Sequence, residues 1–236
     1  MKPHEIHIPF CDKCALETNS LFRHLSKDEL VKINFEKDFR HYRRGDVLYQ
    51  EGNRINGFYC INSGIIKVFK TGLDGKEQII RFAKKGDIIA YRSVISNESA
   101  CTTAEVIEDS HVCFIPSEVL FLFVKSNSAF SFELMKLTCH ELEEANSYIT
   151  DIAQKTVRER LAEVLLHLER EFGLDEQNHL KISLTREELA NIVGTATESV
   201  IRLLSEFKGD KLIELQGRKI KVLDIKGLEK ISNVFS

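Results

Sequence analysis

The sequence has no long apolar run: nothing in its 236 residues approaches the ~18–20 consecutive apolar residues of a membrane-spanning helix. The opening "MKPHEIHIPFCDKC" holds no basic stretch followed by an apolar core, so no secretory signal is expected. The six cysteines sit at irregular spacing, unlike the framework of a secreted disulfide-rich domain. These absences predict a cytoplasmic chain with no membrane partner. Catalytic signatures are missing too. The eight histidines are scattered, without the H-x-H pairing of metal-bearing β-barrel enzymes. There is no Ser-His-Asp spacing, no Walker loop and no G-x-G-x-x-G, so the chain is expected not to be an enzyme. Internal repeats and low-complexity segments are absent as well.

What is present is enough apolar material to build cores, 43% of the residues, in a length that suits one large domain or two small ones. The charge is uneven. From Lys181 onward ten Lys and Arg face eight Asp and Glu, whereas the first 180 residues carry 23 against 28. The formal net charge of −3 therefore hides a mildly basic C-terminal piece. Nucleic-acid contact depends on where those groups sit and not on their sum.

Local patterns change along the chain. Residues 21–36 read as a short helix capped by Ser26, with Glu29 completing a capping box. From about His41 to Pro116, apolar stretches ("DVLY", "GFYCI", "IIKVFK", "QIIRFA", "VCFIP") alternate with turn residues, and "GLDGKE" is a hairpin signal. That texture predicts an antiparallel sandwich or barrel. Residues 127–153 then show a helical pattern. Met135, Thr138, Leu142, Ala145, Ile149 and Ile152 recur at alternating three- and four-residue spacing, an a/d seam about three heptads long. Phe130, Leu134 and Leu137 supply a second apolar face. Two faces predict two partners: the helix's own domain and a second copy of the chain. In "VRERLAEVLLHLEREFG", Leu161, Val164, Leu165, Leu168 and Phe172 mark a further helix stopped by Gly173. A loop and a short strand are expected in "LDEQNHLKISL".

"TREELANIVGTATESVIRLLSEF" carries the clearest functional pattern. Thr185 and Glu188 form a capping box, Leu189, Ile192 and Val193 a buried face, and Gly194 a left-handed stop. The second run buries Val200, Leu203, Leu204 and Phe207 and exposes Glu198, Ser199, Arg202 and Glu206. Two short helices around a Gly turn make a helix-turn-helix, and two strands around Gln216-Gly217-Arg218 make it winged. In a major groove, Arg202 can donate to guanine O6 and N7, and Glu198 can accept from the cytosine amino group. The competing reading is a surface ion pair between these residues, four apart. Glu198 can also cap its own helix through Thr195.

Taken together, "RRGDVLYQEGNRINGFYCINSGIIKVFK", "DGKEQIIRFAKKGDII", "DSHVCFIP", "TVRERLAEVLLHLEREFG" and the helix-turn-helix stretch resemble the CRP/FNR family of bacterial transcription regulators over nearly the whole length. The resemblance implies an α+β protein: an antiparallel, jelly-roll-like sensor β-roll with an N-terminal helix (residues 1–126), a long dimerisation helix (127–153) and a winged helix-turn-helix DNA-binding domain (154–236). It implies a homodimer on a palindromic double-stranded DNA site, with RNA polymerase as a further partner. The family's E-x-x-x-R pair falls on Glu198 and Arg202. Thr197 and Ile201 occupy neighbouring positions where the family has other residues; Ile201 suits a thymine methyl. Thr185, Thr195, Ser199 and Lys219 are candidate phosphate contacts.

The signal is not named by the sequence. A cyclic nucleotide in the family is held through an R-(S/T)-A segment, but the matching region, "ESACTTA", has no Arg, and Arg92 comes too early. A buried phosphate without a guanidinium is poorly compensated. The family's iron–sulfur branch uses C-x2-C-x5-C plus a roll cysteine. Cys11, Cys14 and Cys113 match, but Ser20 stands at the third N-terminal position, and such clusters take four thiolates. His4 and His7 add only tail histidines. Cys60, Cys113 and Cys139 also fit as ordinary apolar-site cysteines. No metal set is assigned and the cofactor is left open. The alternatives are a cluster-bearing redox sensor with the same DNA output or, in a different class, a small-ligand-binding β-barrel enzyme.

Overall fold

The computed structural model describes Cys11 and residues 21–232. Two compact units partition the chain: residues 1–75 with 79–143, and residues 76–78 with 144–236. Cys14, Ser20, His4 and His7 lie outside the described residues.

In the first unit a 3-10 turn at Leu21–His24 precedes helix α1, Lys27–Glu36. The single helix expected from residue 21 is thus broken. Ser26 takes extended backbone (φ −67°, ψ 164°) to cap α1, and a helix cannot run through that conformation. The capping box is formed: Ser26 accepts from the Glu29 amide, and the Glu29 carboxylate accepts from the Ser26 amide at 2.7 Å.

Six strands make one sheet: β1 (Asp38–Tyr42), β2 (Val47–Tyr49), β3 (Gly57–Thr71), β4 (Glu77–Ala83), β5 (Ile88–Ile89) and β6 (Thr103–Pro116). The long strand β6 pairs antiparallel with β1, β2 and β3. "GFYCI" and "IIKVFK", expected as two strands, are one 15-residue strand. The Gly between them makes an irregular ladder rather than a turn. Gly64 has φ +88°, and a Cβ there would collide with Ser110 and the Asp109 carbonyl. The pairing register with β6 shifts at the same place. The expected hairpin between β3 and β4 forms, its turn closed by the Gly75 amide on the Gly72 carbonyl at 3.0 Å.

Two helices of this unit were not anticipated, α2 (Tyr91–Ser96) and α3 (Ser117–Ser126). Helix α4, Ser128–Gln154, follows as the longest element. One apolar core lies among α1, α3, α4 and the sheet, built on Phe22, Ile33, Phe58, Leu120, Phe123 and Phe130. A second, inside the strands, gathers Ile61, Ile66, Val68, Ile89, Val106 and Val112. Phe130 and Leu134 are buried in the first core, with Leu137 half-buried beside them.

The second unit opens with α5, Val157–Phe172, capped by Thr156 and Glu159 and ended at Gly173. It continues through α6 (Arg186–Val193), α7 (Thr197–Gly209), the strand pair β7 (Ile213–Gln216) and β8 (Lys219–Val222), and α8 (Ile225–Ser232). The strand expected before Thr185 shrinks to isolated bridges, Leu174 with Leu180 and His179 with Lys221. Helix α8 packs on α5 and buries Leu228 completely.

Candidate DNA interface

Helix α6 is started by its cap. The Thr185 hydroxyl accepts from the Glu188 amide at 3.0 Å, and the Glu188 carboxylate accepts from the Thr185 amide at 2.6 Å. Gly194 ends it in the left-handed region (φ +70°, ψ 50°), its amide on the Ala190 carbonyl at 2.9 Å. A Cβ at Gly194 would lie 2.8 Å from Ile152 Cδ1 and 3.0 Å from the Tyr148 hydroxyl, so both the dihedral and the space call for glycine. Arg160 on α5 fastens the same turn, donating to the carbonyls of Val193 at 3.0 Å and Gly194 at 3.4 Å, while its Nη1 donates to the Lys155 carbonyl ahead of α5 at 2.7 Å. A cation on the last carbonyls of α6 also opposes the negative end of its dipole. The sequence reading missed Arg160. Its only signal was an Arg on the polar side of α5.

Helix α7 buries Val200, Leu203, Leu204 and Phe207, the face expected from the spacing. Its N-cap is Ala196, without a side-chain cap bond. The Thr195–Glu198 capping box considered from the sequence therefore does not form: Thr195 donates its amide to the Ala190 carbonyl at 3.1 Å and belongs to the turn. Glu198, Ile201 and Arg202 are exposed, and Thr197 and Ser199 half-exposed. The competing Glu198–Arg202 ion pair is also not made among the described residues. Arg202 Nη1 donates instead to Glu206 Oε1 at 2.7 Å. The other oxygen of Glu206 accepts from Arg158 Nη1 on α5 at 3.0 Å. Thr185 is half-buried, and Lys219 stands exposed on β8.

Beside the wing, Arg186 donates to the Gly217 carbonyl at 2.9 Å and joins α6 to the β7–β8 turn. Burial lowers its pKa, and among the described residues its Nη1 has no hydrogen-bond partner. The sequence reading did not single out Arg186; a cation directly after a helix cap was the available signal.

Two family models match the chain, "Cyclic nucleotide-binding domain" over residues 39–127 and "Crp-like helix-turn-helix domain" over residues 159–231. The transcriptional activator protein Anr of Pseudomonas protegens is 27% identical over 91% of this chain and 88% of its own length. The fumarate and nitrate reduction regulatory protein of Vibrio cholerae is 25% identical over 95% and 90%. FixK2 from Bradyrhizobium japonicum superposes with a TM-score of 0.75 at 23% identity, covering 85% of this chain and 99% of its own. A CRP/FNR family transcriptional regulator from Thermus thermophilus gives 0.71 at 21%, covering 84% and 100%. The chain belongs to the CRP/FNR family. It is a DNA-binding transcription regulator, and its antiparallel roll, long helix and C-terminal helix-turn-helix follow the CRP/FNR architecture.

The roll of this CRP/FNR protein carries its own chemistry. In the segment "ESACTTA" the Ala100 amide donates to the Asn53 carbonyl, the Cys101 amide to the Ser93 hydroxyl, and buried Thr102 bonds the Tyr49 hydroxyl at 3.3 Å. Arg92 turns to Glu141 on α4, its Nε 3.2 Å from Oε2, and Arg81 on β4 approaches Oε1 at 3.2 Å. Glu141 is buried. Cys113 pairs across the ladder with Cys60, and both share an apolar core with Cys11. Lys37 Nζ lies 3.3 Å from Cys11 Sγ. Among the described residues no three His, Cys, Asp or Glu converge as metal ligands. Cys14 and Ser20, the other positions of the cluster pattern, lie outside the described residues.

Proposed function

We propose that the chain works as a homodimer that reads a palindromic DNA site through Glu198 and Arg202 of α7, under the control of a signal received by the roll. The observation that carries this reading is the surface of α7. Its apolar side is wholly buried, while Glu198 and Arg202 stand exposed one turn apart. An exposed Arg and Glu at that separation match guanine and cytosine edges of neighbouring base pairs. Ile201, 48% exposed between them, suits a thymine methyl. Thr197 lies beside Glu198 on the same surface, and Thr185, Thr195, Ser199 and Lys219 flank it as phosphate contacts that set register without reading sequence.

The dimer reading rests on α4. Met135, Thr138, Leu142, Ala145, Ile149 and Ile152 are all exposed, while the opposite face is already spent on the chain's own core. Two-fold pairing along this seam places the two reader helices about one DNA turn, ~34 Å, apart. In this reading residues 1–126 receive the signal, 127–153 pair the subunits and 154–236 bind DNA. The protein is cytoplasmic, has no catalytic role, and acts with RNA polymerase. Selection from a random DNA pool tests it. The wild type should yield one inverted-repeat motif, and Arg202→Ala should yield none while remaining folded. Recovery of the same motif by Arg202→Ala would remove Arg202 from the interface.

A further inference from the structure

We propose that Glu206 is a specificity-determining residue: it aims Arg202, so that a fixed edge of the guanidinium meets the base. The inference rests on the reading of Arg202 as a base-contacting residue and adds a second residue to that site.

Arg202 and Glu206 are four apart on α7, the spacing of an ordinary surface pair of small effect. Three observations set this pair apart. First, the Glu206 carboxylate is held from both sides, by Arg202 Nη1 at 2.7 Å on one oxygen and Arg158 Nη1 at 3.0 Å on the other. Second, Arg158 is itself anchored. Its guanidinium lies 4.9 Å over the ring of fully buried Phe207 and bonds Asp210 at 2.7 Å. The carboxylate is thus tied through α5 to the core. Third, Arg202 keeps 69% of its side-chain surface exposed and, among the described residues, makes no other hydrogen bond.

Bonding through Nη1 leaves the Nε and Nη2 donors, which point side by side from the opposite edge of the guanidinium. That fork matches O6 and N7 of guanine. A long side chain free in water loses rotamer freedom when it docks, whereas a held one has already lost it. When a base edge covers Arg202 and excludes water, its attraction to Glu206 strengthens. A buttressed arginine also tolerates other bases poorly, because turning toward them breaks the bond to Glu206.

The test measures the affinities of the full-length protein for its selected operator and for the same operator changed at the base pair that Arg202 contacts. Glu206→Gln should reduce the ratio of the two by about tenfold, within the range one bidentate base contact supplies. Its melting temperature and its affinity for unrelated DNA should not fall. Asp210→Asn removes one anchor of Arg158 but leaves its place over Phe207 and its bond to Glu206, so it should leave the ratio unchanged. If Glu206→Gln keeps the wild-type ratio within about twofold while Arg202→Ala abolishes it, Glu206 is a bystander and the inference is overturned, with the reading of Arg202 intact. If Glu206→Gln sharpens the preference, Glu206 competes with DNA for Arg202, and the inference is overturned. If Arg202→Ala itself keeps the preference, the reading beneath the inference fails.

Discussion

The carboxylate of Glu141, on the long helix, lies 3.2 Å from the guanidinium of Arg81 on strand β4. Arg92 holds its other oxygen, also at 3.2 Å. The Glu141 side chain is only 7% exposed, against 24% for Arg81 and 45% for Arg92. One buried charge therefore binds α4 to two separate parts of the roll, and its removal strands two cations at the edge of the core. Breaking a buried pair typically costs about 3–5 kcal/mol. Because both arginines retain some water, Glu141→Ala should destabilise the roll by about 2–3 kcal/mol. Denaturant unfolding of wild type and variant measures the difference. A loss below about 0.5 kcal/mol would mean that solvation replaces the bridge at no cost.

Tyr91, beside this bridge, makes an opposite prediction. Its side chain is buried, and among the described residues its hydroxyl has no partner within hydrogen-bond geometry. The neighbouring Thr138 donates its own hydroxyl to the Leu134 carbonyl at 2.9 Å. Burial, with the charge of Glu141 second, pushes the Tyr91 phenol up to about 12. Burial does the same for Tyr59, also to about 12. An unfolded tyrosine titrates near ~10, so above that value the unfolded state loses protons that the folded state keeps. Stability is then complete below about pH 10 and falls as pH rises through 12. Tyr91→Phe removes an unsatisfied group, so at neutral pH it should be neutral or stabilise by up to about 1 kcal/mol. It should also shrink the alkaline loss. Denaturation midpoints at about pH 8 and about pH 11 check both signs.

Gly194→Ala should weaken the DNA-binding unit. The backbone there has φ +70°, and the new methyl would meet Ile152 Cδ1 at 2.8 Å. Left-handed backbone alone costs an L-residue about 1–2 kcal/mol, and the close contact adds to it. The expected loss is about 2–3 kcal/mol, read as a lower melting temperature. Operator sequence preference should persist below the transition, because the proposed reading face of α7 is untouched. An unchanged melting temperature would show that the turn relaxes freely.

How much of this was legible beforehand depended on whether the signal was local. The Thr185 cap, the Gly194 stop and the Val200–Leu203–Leu204–Phe207 face are set by residues within a turn of one another, and each appears where the spacing placed it. The merged strand β3 reads as two because Asn62-Ser63-Gly64 carries turn chemistry; only pairing with β6 reveals it as an irregular stretch of one strand. Helix α8 escapes a sequence reading because it is short, contains Gly227, and gains its stability by packing on α5. At the site, exposure of Glu198 and Arg202 followed from periodicity. The partner of Arg202 did not. Glu198 and Glu206 are both four residues from it, and only the placement of Arg158 on α5, 48 positions from Glu206, separates the two.

The seam on α4 gives the last prediction. Met135, Leu142 and Ile149 are 57%, 61% and 65% exposed in the single chain, and they lie in one a/d row. A row of large apolar side chains left in water is a liability unless a partner covers it. Leu142→Glu with Ile149→Glu should therefore change assembly without changing the fold. Since neither residue is buried in the subunit, the stability of the subunit itself should move by no more than about 0.5 kcal/mol. The mass in solution should fall to that of one subunit. Linking two half-site readers multiplies affinity by about 10²–10⁴, so binding to an inverted repeat should weaken at least a hundredfold. Binding to an isolated half-site should stay as it was. Sedimentation and paired full-site and half-site titrations make the comparison. A double-mass variant with full operator affinity would place the dimer contact on another surface.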